Sequence, residues 1–218
     1  MSGGHSLLNP SSAPRWMRCP GSVALSHGVG DTSSEYADEG TAAHTLAAWC
    51  LTQGKPADDF IGQTVHVYED DGKTVRRSYT VDPDMASYVQ VYVDAVLRTT
   101  GVKLYEQRVD YSQFIGVPDS KGTSDAVVLD EPTLTLESHD LKFGKGVKVD
   151  ARWVDDAGNE QPNEQLALYL LGALSDNELI ADWQNFKLVV HQPRLDHQDE
   201  LVLTRAQLLA FAQSARAA

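Results

Sequence analysis

The stretch "LESHDLKFGKGVKVDA" at residues 136–151 runs from an apolar, strand-like segment into a short basic loop. Side chains on a strand alternate between its faces, so Asp140 and Lys142 share one face and Leu141 takes the other. Just upstream, "GTSDAVVLDEPTL" places a second apolar run before the tight Asp130-Glu131-Pro132 turn. Two runs joined by so short a turn pair antiparallel. That brings the start of the first, at Asp125, beside the end of the second, at Asp140. An acid from each strand and one lysine then meet at one end of a sheet.

Working outward, strands are expected at 103–110, 124–130, 133–141 and 185–192, and helices near 162–175 and 204–216. A further helix over 83–100 carries Met85, Tyr88, Val89, Tyr92 and Val96 at helical spacing. "QTVHVYEDDGKTVRRSYTV" alternates around Asp71-Gly72 and reads as a β-hairpin inserted at about 63–82. "EGTAAHTLAAWCLTQG" reads as a helix capped by Thr41, with Ala43, Leu46, Ala47 and Cys50 as its apolar stripe and Gly54 as its stop. Residues 28–38 read as a loop, and "NPSSAPRWMRCPGSVALS" as a helix capped by Ser11 or Ser12. The order predicts an α/β (α+β) fold, a mixed central β-sheet flanked by helices. At 218 residues the chain is expected to form one domain with a real core.

The composition, 42% hydrophobic and 22% charged, is that of a globular chain. No run approaches the apolar length that crosses a bilayer, and the N-terminus lacks a signal-peptide pattern, so a cytoplasmic location without a membrane partner is expected. Cys19 and Cys50 are too few for a disulfide framework, a four-cysteine zinc site or an iron–sulfur cluster. The formal charge of −13 opposes bulk attraction to nucleic acid, yet local potential decides where phosphates dock. Lys142, Lys145, Lys148 and Arg152 lie within eleven residues, opposed there only by Asp150, and Lys73, Arg76 and Arg77 sit near the hairpin turn.

His44, Asp125, Asp140, Lys142, Gln165 and Tyr169 form the candidate site. Gln165 and Tyr169 are four apart and share a helix face. Two carboxylates with an imidazole suit a divalent metal, and a lysine beside them can stabilise charge developing on a phosphate. Alone, each residue fits a blander role: a turn aspartate, a surface ion pair, a helix histidine, a polar helix face. Glu137 is expected to face solvent, His139 to lie off the Asp140 face, and Glu106 to be structural, with a place in reserve as a further acid.

The ordered set His44, Gly122-x-x-Asp125, Asp140-x-Lys142, Gln165-x-x-x-Tyr169 resembles the PD-(D/E)XK nuclease superfamily, in its RecB/Cas4-like branch. The opening "LNPSSAPRWMRCPGSVALS" followed by "SSEYADEGTAAHTLAAW" is similar to a phage-encoded family of that branch with an uncharacterised-domain label. The resemblance spans nearly the whole chain. It implies a restriction-endonuclease-like core and a Mg²⁺ or Mn²⁺ ion held by His44, Asp125, Asp140 and the backbone carbonyl of Leu141. It also implies Lys142 as the catalytic lysine, with Gln165 and Tyr169 orienting the site and touching DNA. No proline precedes Asp125 in the family's manner, and the cysteine quartet of Cas4-like members is missing, so no iron–sulfur cluster is expected and Cys19 should be a structural thiol.

The expected activity is therefore metal-dependent hydrolysis of DNA phosphodiesters, as an exonuclease in phage recombination or replication within an infected bacterial host. Lys145, Lys148 and Arg152 are expected to carry the DNA track. A phage single-strand annealing or single-strand DNA-binding protein is an expected companion, and a homo-oligomer fits the same reading. The alternatives are a nuclease-fold DNA-binding or scaffolding protein without turnover, and a structure-selective endonuclease. "FGKGVKV" lacks the spacing and hydroxyl of a phosphate-binding Walker loop, which removes nucleotide hydrolysis.

Overall fold

Two short helices, α1 (Ala13–Arg18) and α2 (Gly21–Ser26), follow a 3-10 turn at Pro10–Ser12 in a computed structural model that describes residues 7–26, 33–69 and 71–218. Cys19 and Pro20 part them. The capping side chain is that of Asn9 rather than Ser11 or Ser12: Asn9 Oδ1 accepts from Ser12 N at 2.9 Å. The next helix, α3 (Glu35–Gln53), begins well before Thr41. Ser34 Oγ accepts from Ala37 N at 3.2 Å, while Thr41 Oγ1 donates back to the Ala37 carbonyl. Glu35 and Asp38 in the first turn suit the positive end of the helix dipole. The loop expected at 28–38 is thus helical from Glu35 on, and its segment at 28–32 lies outside the described residues. Gly54 ends α3 as expected, in the left-handed conformation at φ 64°.

Strands β1 (Thr64–Tyr68) and β2 (Val75–Thr80) form the expected hairpin. Helix α4 (Pro83–Arg98) follows, capped by Asp82, whose carboxylate accepts from Met85 N at 2.7 Å. Then come β3 (Val102–Asp110), the short α5 (Ser112–Ile115), β4 (Lys121–Asp130) and β5 (Thr135–Leu141). The chain continues through β6 (Arg152–Val154), β7 (Glu160–Pro162), α6 (Glu164–Asn177), β8 (Asn185–Gln192), β9 (His197–Thr204) and α7 (Arg205–Ala217). The central sheet is mixed, in the order β3-β4-β5-β8-β9. Only β5 and β8 pair in parallel, and α6 lies in the long connection between them, as a parallel pair requires.

Helices cover both faces of this sheet. On one, Leu46 of α3 and Val89 and Tyr92 of α4 join Ala126, Leu141 and Phe143 in a core that also takes in Val65 and Val67 of the hairpin. On the other, Trp16, Leu166, Leu170 and Leu208 pack with Val127, Leu136 and Val190. Each such large side chain, fully buried, contributes roughly 1.5–3 kcal/mol. Helix α6 is apolar nearly all round because α1 and α7 cover the side that the sheet does not. Gly172 lets α6 lie close to β3, since a Cβ there would stand 2.7 Å from Val109 Cβ. Among the described residues, no helix is long and apolar enough to cross a membrane.

Candidate metal centre

The site starts at an irregular rung of the sheet. β3 and β4 pair through Tyr105↔Ala126 and Gln107↔Ser124, but not at Glu106 and Asp125 between them. Glu106 is left-handed there, at φ 49°, which is uncommon for a residue with a side chain. Ala126 lies in the core beneath α3 and α4. Ser124, two residues back, instead meets Ser138 Oγ at 3.0 Å, and Gly122 abuts Tyr169 of α6. In a regular strand Ala126 and Ser124 would share a face. The rung therefore switches faces, and Asp125 turns toward α3. Asp125 Oδ1 is 3.1 Å from His44 Nδ1, and Oδ2 accepts from Leu141 N at 2.8 Å.

Asp140 and Lys142 do share a face, the one toward α6. Gln165 Oε1 accepts from Lys142 Nζ at 2.9 Å, and Gln165 Nε2 donates to Asp140 Oδ1 at 3.2 Å and to Tyr169 Oη at 3.0 Å. Gln165 is placed by the cap of its helix: Asn163 Oδ1 accepts from Gln165 N and Leu166 N, while Asn163 Nδ2 donates to the Asp150 carbonyl. The Lys142 backbone is held by β8, its N–H donating to the His191 carbonyl at 2.7 Å. Lys142 Nζ lies 2.9 Å from Asp140 Oδ2, outside hydrogen-bond geometry, which leaves that buried oxygen an ion pair and no hydrogen-bond partner among the described residues.

The charges of the cleft are strongly linked. Burial disfavours a charged His44, but Asp125 and then Asp140 outweigh it and raise its pKa to about 9. Burial likewise works against the Asp125 carboxylate, yet His44 and the Leu141 N–H hold its pKa below the usual range. Asp140 goes the other way: burial raises it against the pull of Lys142, and repulsion from Asp125 adds to the rise. Glu106 keeps much of its surface exposed, yet desolvation of its carboxyl and then repulsion from Asp125 push its pKa up to about 7.

Six sequence-predicted residues, His44, Asp125, Asp140, Lys142, Gln165 and Tyr169, thus meet in one network drawn from α3, β4, the end of β5 and α6. The donor set is rich in oxygen, which suits a hard divalent cation. Its present pairing is internal, however: among the described residues no group of three or more His, Cys, Asp or Glu side chains is arranged to hold a metal ion. Accommodating one requires the His44–Asp125 and Lys142–Asp140 pairs to open.

Other expectations change. Glu137 does not face solvent. It is buried and accepts from His139 Nε2 at 3.0 Å, and His139 Nδ1 lies 2.9 Å from His191 Nε2. His139 does lie off the Asp140 face. Burial would raise the Glu137 pKa, but His139 and Lys187 outweigh it and hold the carboxylate ionised; His191 is held neutral, its pKa lowered to about 3 by burial and by His139. The basic loop is not a row of free cations either. Lys148 pairs with Asp150 at 2.9 Å, and Arg152 pairs with Glu160 at 3.2 Å and Asp199 at 3.4 Å. Lys145 has no ion pair among the described residues and lines a cavity with Glu39 and Arg194. Arg76 and Arg77 are spent on buried Asp38, fastening the hairpin to α3. Cys19 is exposed and Cys50 is the buried thiol.

The residue that sequence reasoning undervalued is Glu106. Its position opposite Asp125 follows from the strand register, but its left-handed backbone leaves no mark in the sequence. Residues 5–218 match the family described as "Protein of unknown function (DUF2800)", and the chain belongs to that family.

Proposed function

We propose that the protein is a divalent-metal-dependent DNA nuclease of restriction-endonuclease-like architecture, acting as an exonuclease in phage recombination or replication. The observation that carries this reading is the contact of Lys142 Nζ with both Asp140 and Gln165, 2.9 Å from each, beside Asp125. A lysine fixed between a carboxylate and a helix amide at a cleft mouth, with 26% of its side chain exposed, can meet a phosphate there. A bound Mg²⁺ or Mn²⁺ supplies Lewis-acid activation of water and phosphate.

Asp125 and Asp140, with His44 and the Leu141 carbonyl, would hold that ion. Lys142 keeps a positive charge where negative charge develops, an interaction worth roughly 3–4 kcal/mol in comparable sites. Gln165 aims that ammonium through its carbonyl and keeps Asp140 and Tyr169 in register through its amide. DNA approaching this mouth would meet Lys145 as its free loop cation. Lys148 and Arg152 would reach phosphate only by leaving their acids.

The second reading is a DNA-binding or scaffolding protein without turnover. Its support is the internal pairing of both acids, His44 with Asp125 and Lys142 with Asp140. Linear, nicked and closed-circular DNA, incubated separately in Mg²⁺ and Mn²⁺, separate the readings. Degradation of linear DNA alone is expected. Cutting of closed circles would replace the exonuclease with an endonuclease, and intact DNA throughout would leave the scaffold.

A further inference from the structure

The loop after Lys142 is exposed from Gly144 to Lys148 and belongs to no helix or strand, yet one buried side chain fastens it. Gln192, at the end of β8, is 1% exposed. Its Nε2 donates to the Gly144 carbonyl at 2.7 Å and to the Val147 carbonyl at 2.8 Å, and its Oε1 accepts from Val149 N at 3.0 Å. Both amide donors and an acceptor are thus spent on the main chain of one short loop. The preceding residue of β8, His191, holds the Lys142 N–H through its carbonyl. One strand end therefore places both the lysine of the candidate site and the loop that follows it.

Two glycines in this loop have no internal reason to be glycine. Neither Gly144 nor Gly146 has a positive φ, and a Cβ at either would meet nothing within 4 Å. The remaining use of a bare backbone is close approach by a group from outside. Between the two glycines stands Lys145, which has no ion pair among the described residues. The N–H groups of Lys145, Gly146 and Val147 make no backbone hydrogen bond there either. A held loop with unspent N–H groups, one cation and no side chains in the way is complementary to an anion. Three acids share a cavity of about 200 Å³ with Lys145, but Glu39 is paired with Arg194 and Asp82 caps α4, which leaves Asp84.

We propose that the loop from Gly144 to Val147 is a preformed phosphate-binding loop that takes the DNA backbone against its own main chain, with Gln192 as the positioning residue that holds its shape. The phosphate accepts from the N–H groups around Gly146 and pairs with Lys145. This rests on the DNA-nuclease reading and adds to it the main-chain contacts and Gln192. Gly144 follows Lys142 by two residues, so their Cα atoms lie within about 7 Å of each other. The phosphate on the loop is then a neighbour, on the same strand, of the one that Lys142 meets.

The test measures binding of a fluorescein-labelled linear DNA duplex to the full-length protein by anisotropy, in chelator and across a salt series, with thermal unfolding alongside. Gly146→Ala is expected to bind roughly tenfold more weakly, the scale of one lost hydrogen bond to a charged group. Its Tm should be unchanged or higher, because alanine has room there and loses less chain entropy on folding. Lys145→Ala should lower the slope of log affinity against log salt by about one. Gln192→Leu should weaken binding in the wild-type background but much less in Gly146→Ala, since both act through one loop. Wild-type affinity in Gly146→Ala, with Lys145→Ala weakened, would overturn the main-chain contact and leave the DNA reading standing. An equal loss from Gln192→Leu in both backgrounds would overturn the part given to Gln192. If wild type binds no DNA at any salt, the DNA reading itself falls, and the proposal with it.

Discussion

Glu106 and Asp125 lie opposite each other on β3 and β4 at a rung where neither backbone pairs with the other, and the Asp125 charge bears on the Glu106 carboxyl. Two acids so placed repel each other unless one is protonated or a cation lies between them. Desolvation of the Glu106 carboxyl raises its pKa most, and that repulsion adds to the rise.

Glu106→Gln should therefore stabilise the metal-free protein in a pH-dependent way. With the Glu106 pKa raised from 4.5 to about 7, ionisation costs stability progressively across that interval and fully above it. The variant should unfold at a higher temperature than wild type above pH 7 and match it below pH 4.5, as read by thermal unfolding in chelator. An equal difference at both ends would mean that the gain has another origin.

The His44–Asp125 pair gives the opposite dependence. The His44 pKa is raised from 6.5 to about 9, so its stabilisation is complete below pH 6.5 and lost as pH rises through 9. Wild type in chelator should lose stability over that window, and His44→Gln should flatten the loss. The comparison is a pair of denaturation series across pH. An identical slope in the variant would detach His44 from Asp125.

Gly122, the first residue of the Gly-x-x-Asp motif, is required by space. A Cβ there would stand 2.5 Å from Pro10 Cγ and 2.9 Å from Tyr169 Cε1. Gly122→Ala should cost about 1–3 kcal/mol by overpacking. Because Tyr169 is bonded to Gln165, it should also disturb Lys142. Urea denaturation reads the first effect. The second should appear as a lower kcat with little change in KM for DNA.

The central strands and the acid–lysine meeting were legible because local rules govern them. Alternation put Asp140 and Lys142 on one face, and the short turn after Asp130 brought Asp125 beside them. Helix spacing likewise joined Gln165 to Tyr169. What escaped depends on tertiary partners. Strand β9, "HQDELVLT", crowds its acids ahead of its apolar residues, so no period of two shows, and its strand character comes from pairing with Phe186, Leu188 and Val190 of β8. Glu137 looked solvated because a carboxylate is rarely buried, and its partner chain runs through His139 to His191, far along the sequence. The basic loop looked free because Glu160 and Asp199, which neutralise Arg152, lie on β7 and β9.

The role of Lys142 is the point on which the nuclease reading depends most. The measurement is the initial rate of release from end-labelled linear DNA, titrated with Mn²⁺, for wild type and Lys142→Ala of matched fold by circular dichroism. The expected result is metal-dependent release by wild type and a rate lower by roughly a hundredfold or more in the variant, with Mn²⁺ affinity retained. Release at the wild-type rate by Lys142→Ala, or none by wild type at any Mn²⁺ concentration, would contradict it.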